Sequence, residues 1–193
     1  MIRKSIRAKE DALSDDEITY LTSVCQNIKD LYSVYVPLYA GLRVGEVAHL
    51  KYNWIDIRDS TINIPPTQDC WCWDCRHYRK GIWSPKTSAG VRSVLIHPIL
   101  LPILKRYINS VSTNVSRQAI EIRVSRIVKR TNIPHRVYPH ALRATCATLW
   151  SNQGMSAPTL QYLMGWELLD SAEHYVQSTK KRALKEAMEI VGQ

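Results

Sequence analysis

The 193-residue sequence predicts one mainly α-helical domain with a small antiparallel β-sheet at one edge. Apolar residues recur at helical spacing through most of the chain, and the period shifts toward two only between Trp54 and His97. The length suits a single core, enough to bury about 70% of the unfolded surface.

Taken in order, residues 14–33 read as an amphipathic helix, opened by a Ser14/Glu17 capping box and followed by Ile18, Leu21, Cys25, Ile28 and Tyr32. A second apolar run, Val34 to Ala40, stops at Gly41. Helical periodicity restarts with Arg43 in its first turn, where the glycine break lets the side chain leave the interior. "WIDIR" and "TINIP" flank Asp59 and Ser60 as a hairpin, and "VRSVLIH" supplies a third strand. The segment between the second and third strands is longer than a hairpin loop requires. Pro98 opens a helix to about Ser110, with Ile99, Leu100, Ile103, Leu104 and Tyr107 facing inward. Another helix runs from about Ser116 to Thr131 with Ile120, Val124, Ile127 and Val128 on one face.

Pro139 is placed to start a helix that ends at Gly154. His140 and Arg143 share a face of its first turn, where the helix dipole favours an anion. Ser156 opens a short helix to Met164, Gly165 breaks it, and a further short helix carries Tyr175. The final stretch is amphipathic, with Leu184, Ala187, Met188 and Val191 on one stripe. The sequence has no internal repeat and no low-complexity segment.

No apolar run approaches the roughly 20 residues needed to span a bilayer, and the first residues lack the apolar core of a signal peptide. The expected location is therefore cytoplasmic and nucleoid-associated, with no membrane partner. The five cysteines then read as thiols or metal ligands rather than disulfides. The net charge of +9 is concentrated. Residues 76–92 (Arg76, Arg79, Lys80, Lys86, Arg92) carry +5, and residues 117–136 (Arg117, Arg123, Arg126, Lys129, Arg130, Arg136, against Glu121) carry another +5. A solvated basic face is the plain reading of such charge, but concentration into two stretches favours a polyanion such as double-stranded DNA. Cys70, Cys72, Cys75 and His77 offer four zinc ligands within eight residues. Zinc sites usually draw on two separated segments, so an apolar tuck around Trp71 and Trp73 with incidental thiols is the competing reading. Cys25 and Cys146 read as small core residues, and His49, His97 and His135 as structural or surface residues.

Tyr175 is a candidate nucleophile. A phenol needs cations to hold an electrophile and to stabilise the developing charge. Arg43, Lys86, His140 and Arg143 supply them, a set that fits a phosphodiester better than a carbonyl. Arg43 and Glu46 alone would read as an ordinary i,i+3 helix pair.

In their order, these residues resemble the catalytic domain of the tyrosine recombinases, the phage-integrase family. The resemblance rests on "AGLRVGE" with Arg43 and Glu46, Lys86 before the third strand, "HALR" with His140 and Arg143, Gly165-Trp166, and Tyr175 nine residues after Trp166. It implies site-specific breakage and rejoining of DNA through a 3′-phosphotyrosine link, with no catalytic cofactor and a homotetramer on DNA. Arg43 and Arg143 then clamp the phosphate, and Lys86 protonates the leaving 5′ oxygen. His140 accepts the Tyr175 proton or donates to the phosphate. Glu46 orients Arg43 or His140. Trp166 stands where a histidine is more usual and offers an N–H but no proton transfer.

The same site would serve a type IB topoisomerase, and the basic stretches alone would serve a non-catalytic accessory protein. The cysteine-containing insertion looks like archaeal integrases of viruses or proviruses, whose role would be viral genome integration, although chromosome-dimer resolution would use the same site. By the same resemblance, residues 1–10 are the remnant of a linker from an N-terminal core-binding domain, and the chain is expected to be part of a longer protein. Residues 11–178 are the catalytic domain. Residues 179–193 are a helix that packs on its own domain or passes to a neighbouring subunit.

Overall fold

A computed structural model describes residues 11–110, 115–176, 187–188 and 190–192. Ser14 caps α1 (Asp15–Ser23) with the full capping box anticipated. The helix then ends short of the expected position 33. Asn27 accepts from the backbone N–H groups of Lys29 and Asp30 and starts α2 (Ile28–Ala40) afresh. A local side-chain cap thus overrides an apolar period that would run straight through.

Helix α2 lies at the centre and packs on α5 (Leu100–Ser110), α6 (Arg117–Val128) and α7 (Pro139–Asn152). Val34, Val36, Leu38 and Ala40 are fully buried along it, and each larger side chain of this kind contributes about 1.5–3 kcal/mol by leaving water. Tyr32 stacks on Tyr107 of α5 with ring centroids 3.6 Å apart. Its hydroxyl donates to the Val47 carbonyl at 2.6 Å, tying α2 to α3 (Val44–His49). The left-handed conformation at Gly41 (φ 60°) turns the chain from α2 into α3.

The sheet forms as the alternation predicts. β1 (Ile55–Asp56), β2 (Thr61–Ile64) and β5 (Arg92–Leu95) lie side by side in that order, all antiparallel, with Ile62 opposite Val94 and Ile64 opposite Arg92. The long insertion, undivided in the sequence reading, carries its own structure. β3 (Gln68–Asp69) pairs with β4 (Ile82–Trp83), and α4 (Trp73–Tyr78) lies between them. These strands are too short to show a period.

Ser116 caps α6, Pro139 occupies the first turn of α7, and Ser156 caps α8 (Ala157–Met164). Gly165 ends α8 at φ 60°, and α9 (Asp170–Val176) follows. A second small core of Ala144, Ala147, Leu160, Met164 and Ala172 forms around Tyr175. Residues 187–188 and 190–191 are helical. The remainder of the expected C-terminal helix, including Leu184, lies outside the described residues, as does the expected linker at 1–10.

Candidate active site

The end of α8 organises the site. A helix leaves its last carbonyls without intrahelical partners, and they carry the negative end of the dipole. The N–H groups of Trp166 and Gly165 take up the Gln161 and Tyr162 carbonyls. The next three carbonyls each accept from a different arginine: Leu163 from Arg92 Nε at 2.7 Å, Met164 from Arg143 Nη2, and Gly165 from Arg43 Nη2. Residues from α7, β5 and the start of α3 are thereby drawn to one point.

Glu46 completes this knot from inside. It is 2% exposed and accepts from the Arg43 N–H at 2.8 Å and from Arg43 Nη1 at 2.9 Å. It also takes a forked pair from Arg92, Nη1 at 3.0 Å and Nη2 at 3.1 Å. Burial opposes its ionisation, but Arg92 first, then Arg143 and Arg43, hold the carboxyl below its usual range. Glu46 therefore orients Arg43, and its other partner is Arg92 rather than His140.

Arg92 corrects the sequence reading. Counted there among the DNA-facing cations, its side chain is 0% exposed, and it is bonded to Leu163, Gly90 and Glu46. It stiffens the site from below and cannot touch a ligand at the surface.

Arg143 is buried and anchored at both ends, with Nη1 donating to the Gly41 carbonyl and Nη2 to that of Met164. Burial, then Arg43 and Arg92, lower its pKa to about 9, and it stays cationic at neutral pH. Arg43 is more open than Arg143, at 25% exposed. Three guanidiniums against one carboxylate leave positive charge in excess, which suits an anion. Arg43 and Arg143 each carry five N–H groups and are anchored through two nitrogens, which leaves donors to aim at an anion.

His140 sits in the first turn of α7 with its residue surface open to solvent. Desolvation of the ring, then the charges of Arg143 and Arg43, lower its pKa to about 4. It is neutral at physiological pH and so able to accept a proton. Tyr175 is 8% exposed and stacks on Trp166, centroids 5.2 Å apart and 17° from parallel. Burial raises its pKa to about 12 against the opposing pull of Arg143. Ser151 Oγ donates to the Tyr175 carbonyl at 2.5 Å and fixes the backbone of α9 against α7. Trp166 thus holds the Tyr175 ring in place.

Lys86 is exposed, on the loop between β4 and the short 3₁₀ turn at Ser88–Gly90. That loop folds tightly. A Cβ on Gly90 would come within 2.5 Å of Pro85 and 3.5 Å of Arg43 Nη1, so the loop lies beside the first arginine.

Of the other cations, Arg76 and Lys80 are exposed on α4 and the turn after it, and Arg117, Arg126 and Lys129 on α6 and its C-cap. Arg79 is exposed while donating to the Ser84 carbonyl at 3.2 Å. A Cβ on Gly45 would come 3.9 Å from Arg117 Cδ, so the second basic stretch begins beside α3. Arg130 is partly committed to buried Asp30 at 2.8 Å, Arg123 is half-buried, and Arg136 lies over the Tyr138 ring at 5.1 Å.

The cysteine cluster also differs from expectation. Cys70, Cys72 and Cys75 converge on His49, whereas His77 is exposed and stacked on Trp73 at 4.5 Å. His77 is near the thiols in sequence but turns outward on α4. His49, which the sequence suggests is a structural or surface residue, reaches them from the end of α3. The cue in the sequence is the rule that zinc sites draw on separated segments. His135 pairs with Glu17 at 3.0 Å, His97 lies against Tyr39, and Cys146 is buried as expected.

Residues 100–182 match the model of the phage integrase family. Among curated relatives, tyrosine recombinase XerC of Pediococcus pentosaceus is 24% identical over 175 residues, 86% of this chain and 55% of the relative. Tyrosine recombinase XerA of Pyrococcus horikoshii is 26% identical over 191 residues, 92% of this chain and 60% of the relative. The chain thus spans little more than half the length of these relatives. Among solved structures, the Tn1549 transposon integrase in complex with a circular intermediate DNA superposes with a TM-score of 0.74 at 22% identity, covering 92% of this chain and 65% of that one. A XerA recombinase crystal structure gives a TM-score of 0.67 at 23% identity, covering 92% and 62%. Fold, family match and relatives together support a tyrosine recombinase catalytic domain. No described helix is long and apolar enough to cross a membrane.

Proposed function

We propose that this domain breaks and rejoins DNA as part of a site-specific recombinase. The observation that carries the reading is the anchoring of Arg43 and Arg143 at the end of α8, where both act on His140 and Arg143 acts on Tyr175. In the reaction, Tyr175 Oη forms a bond to a backbone phosphorus as the bond from phosphorus to the 5′ oxygen breaks. The 3′ end becomes phosphotyrosine, and Lys86 gives its proton to the departing 5′ oxygen. Neutral His140 takes the phenolic proton. The two arginines fork onto the non-bridging oxygens, whose charge grows in the transition state. Attack by a 5′ hydroxyl of another strand reverses the step and restores tyrosine. The phosphoester is kept throughout, so no nucleotide or catalytic metal is required.

Exchange between two duplexes takes four such domains, so we infer a tetramer on DNA, working in the cytoplasm. Residues 11–178 serve as the catalytic unit. The insertion favours integration of viral or other mobile DNA, in keeping with a probable integrase/recombinase of Acholeplasma phage L2 among the relatives, 24% identical over 153 residues. The comparisons lend no support to relaxation alone or to a non-catalytic accessory role.

A nicked suicide duplex, which loses the 5′ hydroxyl after cleavage, tests the chemistry. The wild-type chain is expected to form an adduct that survives denaturation and Tyr175→Phe none. An equal adduct from the phenylalanine variant, or none from wild type on saturated DNA, overturns the proposal.

A further inference from the structure

The proposed DNA chemistry makes no use of the cluster of His49, Cys70, Cys72 and Cys75. Three of the four residues are buried, and the ligand atoms all lie within 4.8 Å of one another. His49 Nε2 is 3.4 Å from Cys72 Sγ and 3.5 Å from Cys75 Sγ. A tetrahedral zinc with bonds of about 2.3 Å to sulfur and 2.0–2.1 Å to nitrogen puts neighbouring S and N atoms about 3.6 Å apart and S atoms about 3.8 Å apart. The cluster is at that scale.

The surroundings also suit a metal. His49 Nδ1 lies 2.7 Å from the Gly45 carbonyl, which fixes the tautomer and turns the Nε2 lone pair toward the thiols. Cys72 caps α4, and its sulfur accepts from the Cys75 N–H at 3.4 Å, a bond that favours the thiolate. The ring of His49 is held against Trp83 of β4 at 5.4 Å. Gln68 Nε2 donates to the His49 carbonyl at 3.1 Å, joining β3 to the same helix end.

We propose that His49, Cys70, Cys72 and Cys75 bind one structural zinc ion that staples the β3–α4–β4 insertion to the end of α3. Four protein ligands close the coordination shell, so the ion acts as a clamp and not as a Lewis acid. The clamp connects two catalytic positions. Helix α3 begins beside Arg43 and contains Glu46, and β4 leads directly into the loop that carries Lys86. Zinc bound here sets the distance between the base of the phosphate clamp and the lysine loop. The inference does not depend on the recombinase reading, since metal content is measured without DNA.

The chain should be purified without chelator, under reducing conditions, for elemental analysis. Zinc close to one equivalent per chain is expected. His77→Ala should keep it and His49→Ala should lose most of it. Replacement by Co²⁺ should give the visible bands of a tetrahedral thiolate site. Removal of the ion by a strong chelator should expose 68–83 to proteolysis before the helical core. Zinc well below stoichiometric in wild type, with proteolysis unchanged by chelator, overturns the site. Loss in His77→Ala but not in His49→Ala overturns the ligand assignment. Should His49→Ala fail to fold, the wild-type metal content and the cobalt spectrum still decide the matter.

Discussion

Two groups of cations among the described residues live in different kinds of place. At the end of α8, Arg43, Arg92 and Arg143 are locked to backbone carbonyls and to Glu46. On and just past α4 and α6, Arg76, Lys80, Arg117, Arg126 and Lys129 stand in solvent. The first group has its geometry fixed before any ligand arrives, which is what stabilising a transition state demands. The second group offers charge without fixed geometry, enough for affinity through counterion release. Rate and affinity should therefore be separable by mutation.

The largest effect is expected in the locked group. Arg43→Ala or Arg143→Ala should slow cleavage by roughly 10²–10³-fold or more, as for loss of a preorganised donor. DNA affinity at one stated salt concentration should change little. Single-turnover cleavage beside filter binding separates the two, and near-normal cleavage would remove that arginine from the clamp. A middle-sized effect belongs to the exposed group. Replacing Arg117, Arg126 and Lys129 together by Ala should weaken binding and lower the slope of log K against log salt by about 0.9 for each phosphate no longer neutralised. Cleavage on saturated DNA should hold, and an unaltered salt slope would take α6 off the DNA face.

The smallest effect tests how burial and the locked arginines together act on a neighbour. His140 titrates near its ordinary value of about 6.5 in the unfolded chain, but resists protonation until about 4 in the fold. Between those values the unfolded state binds more protons, so stability falls as pH falls. His140→Gln should remove this part of the slope. Urea midpoints for both proteins from pH 7 to pH 4 measure it, and parallel curves would show that the fold does not lower the ring's pKa.

Much of this is legible in the sequence, for local reasons. Ser14, Ser116 and Ser156 mark helix starts and Gly41 and Gly165 mark stops, because caps and left-handed turns are set by a residue or two. The shared face of His140 and Arg143 is legible from their spacing on one helix, but the approach of Arg43 and Tyr175 to them is legible only through the family resemblance, as those residues come from separate elements. Arg92 is misplaced by charge counting, although strand alternation puts it on the same face as Val94, and both are buried. The exchange of His49 for His77 is hidden because chain topology brings α3 against the insertion.

The three carbonyls that end α8 are backbone atoms, so substitution of their own side chains leaves the acceptors in place. Leu163 and Met164 are free to drift among apolar residues that fit the core while the arginines keep their moorings. Gly165 lacks that latitude. Its φ is 60°, and a Cβ there would lie 2.7 Å from the Ala89 carbonyl and 3.0 Å from Arg92. A saturation library across 163–165 would then show two tolerant positions beside one intolerant one, and the intolerant position is the residue with no side chain at all.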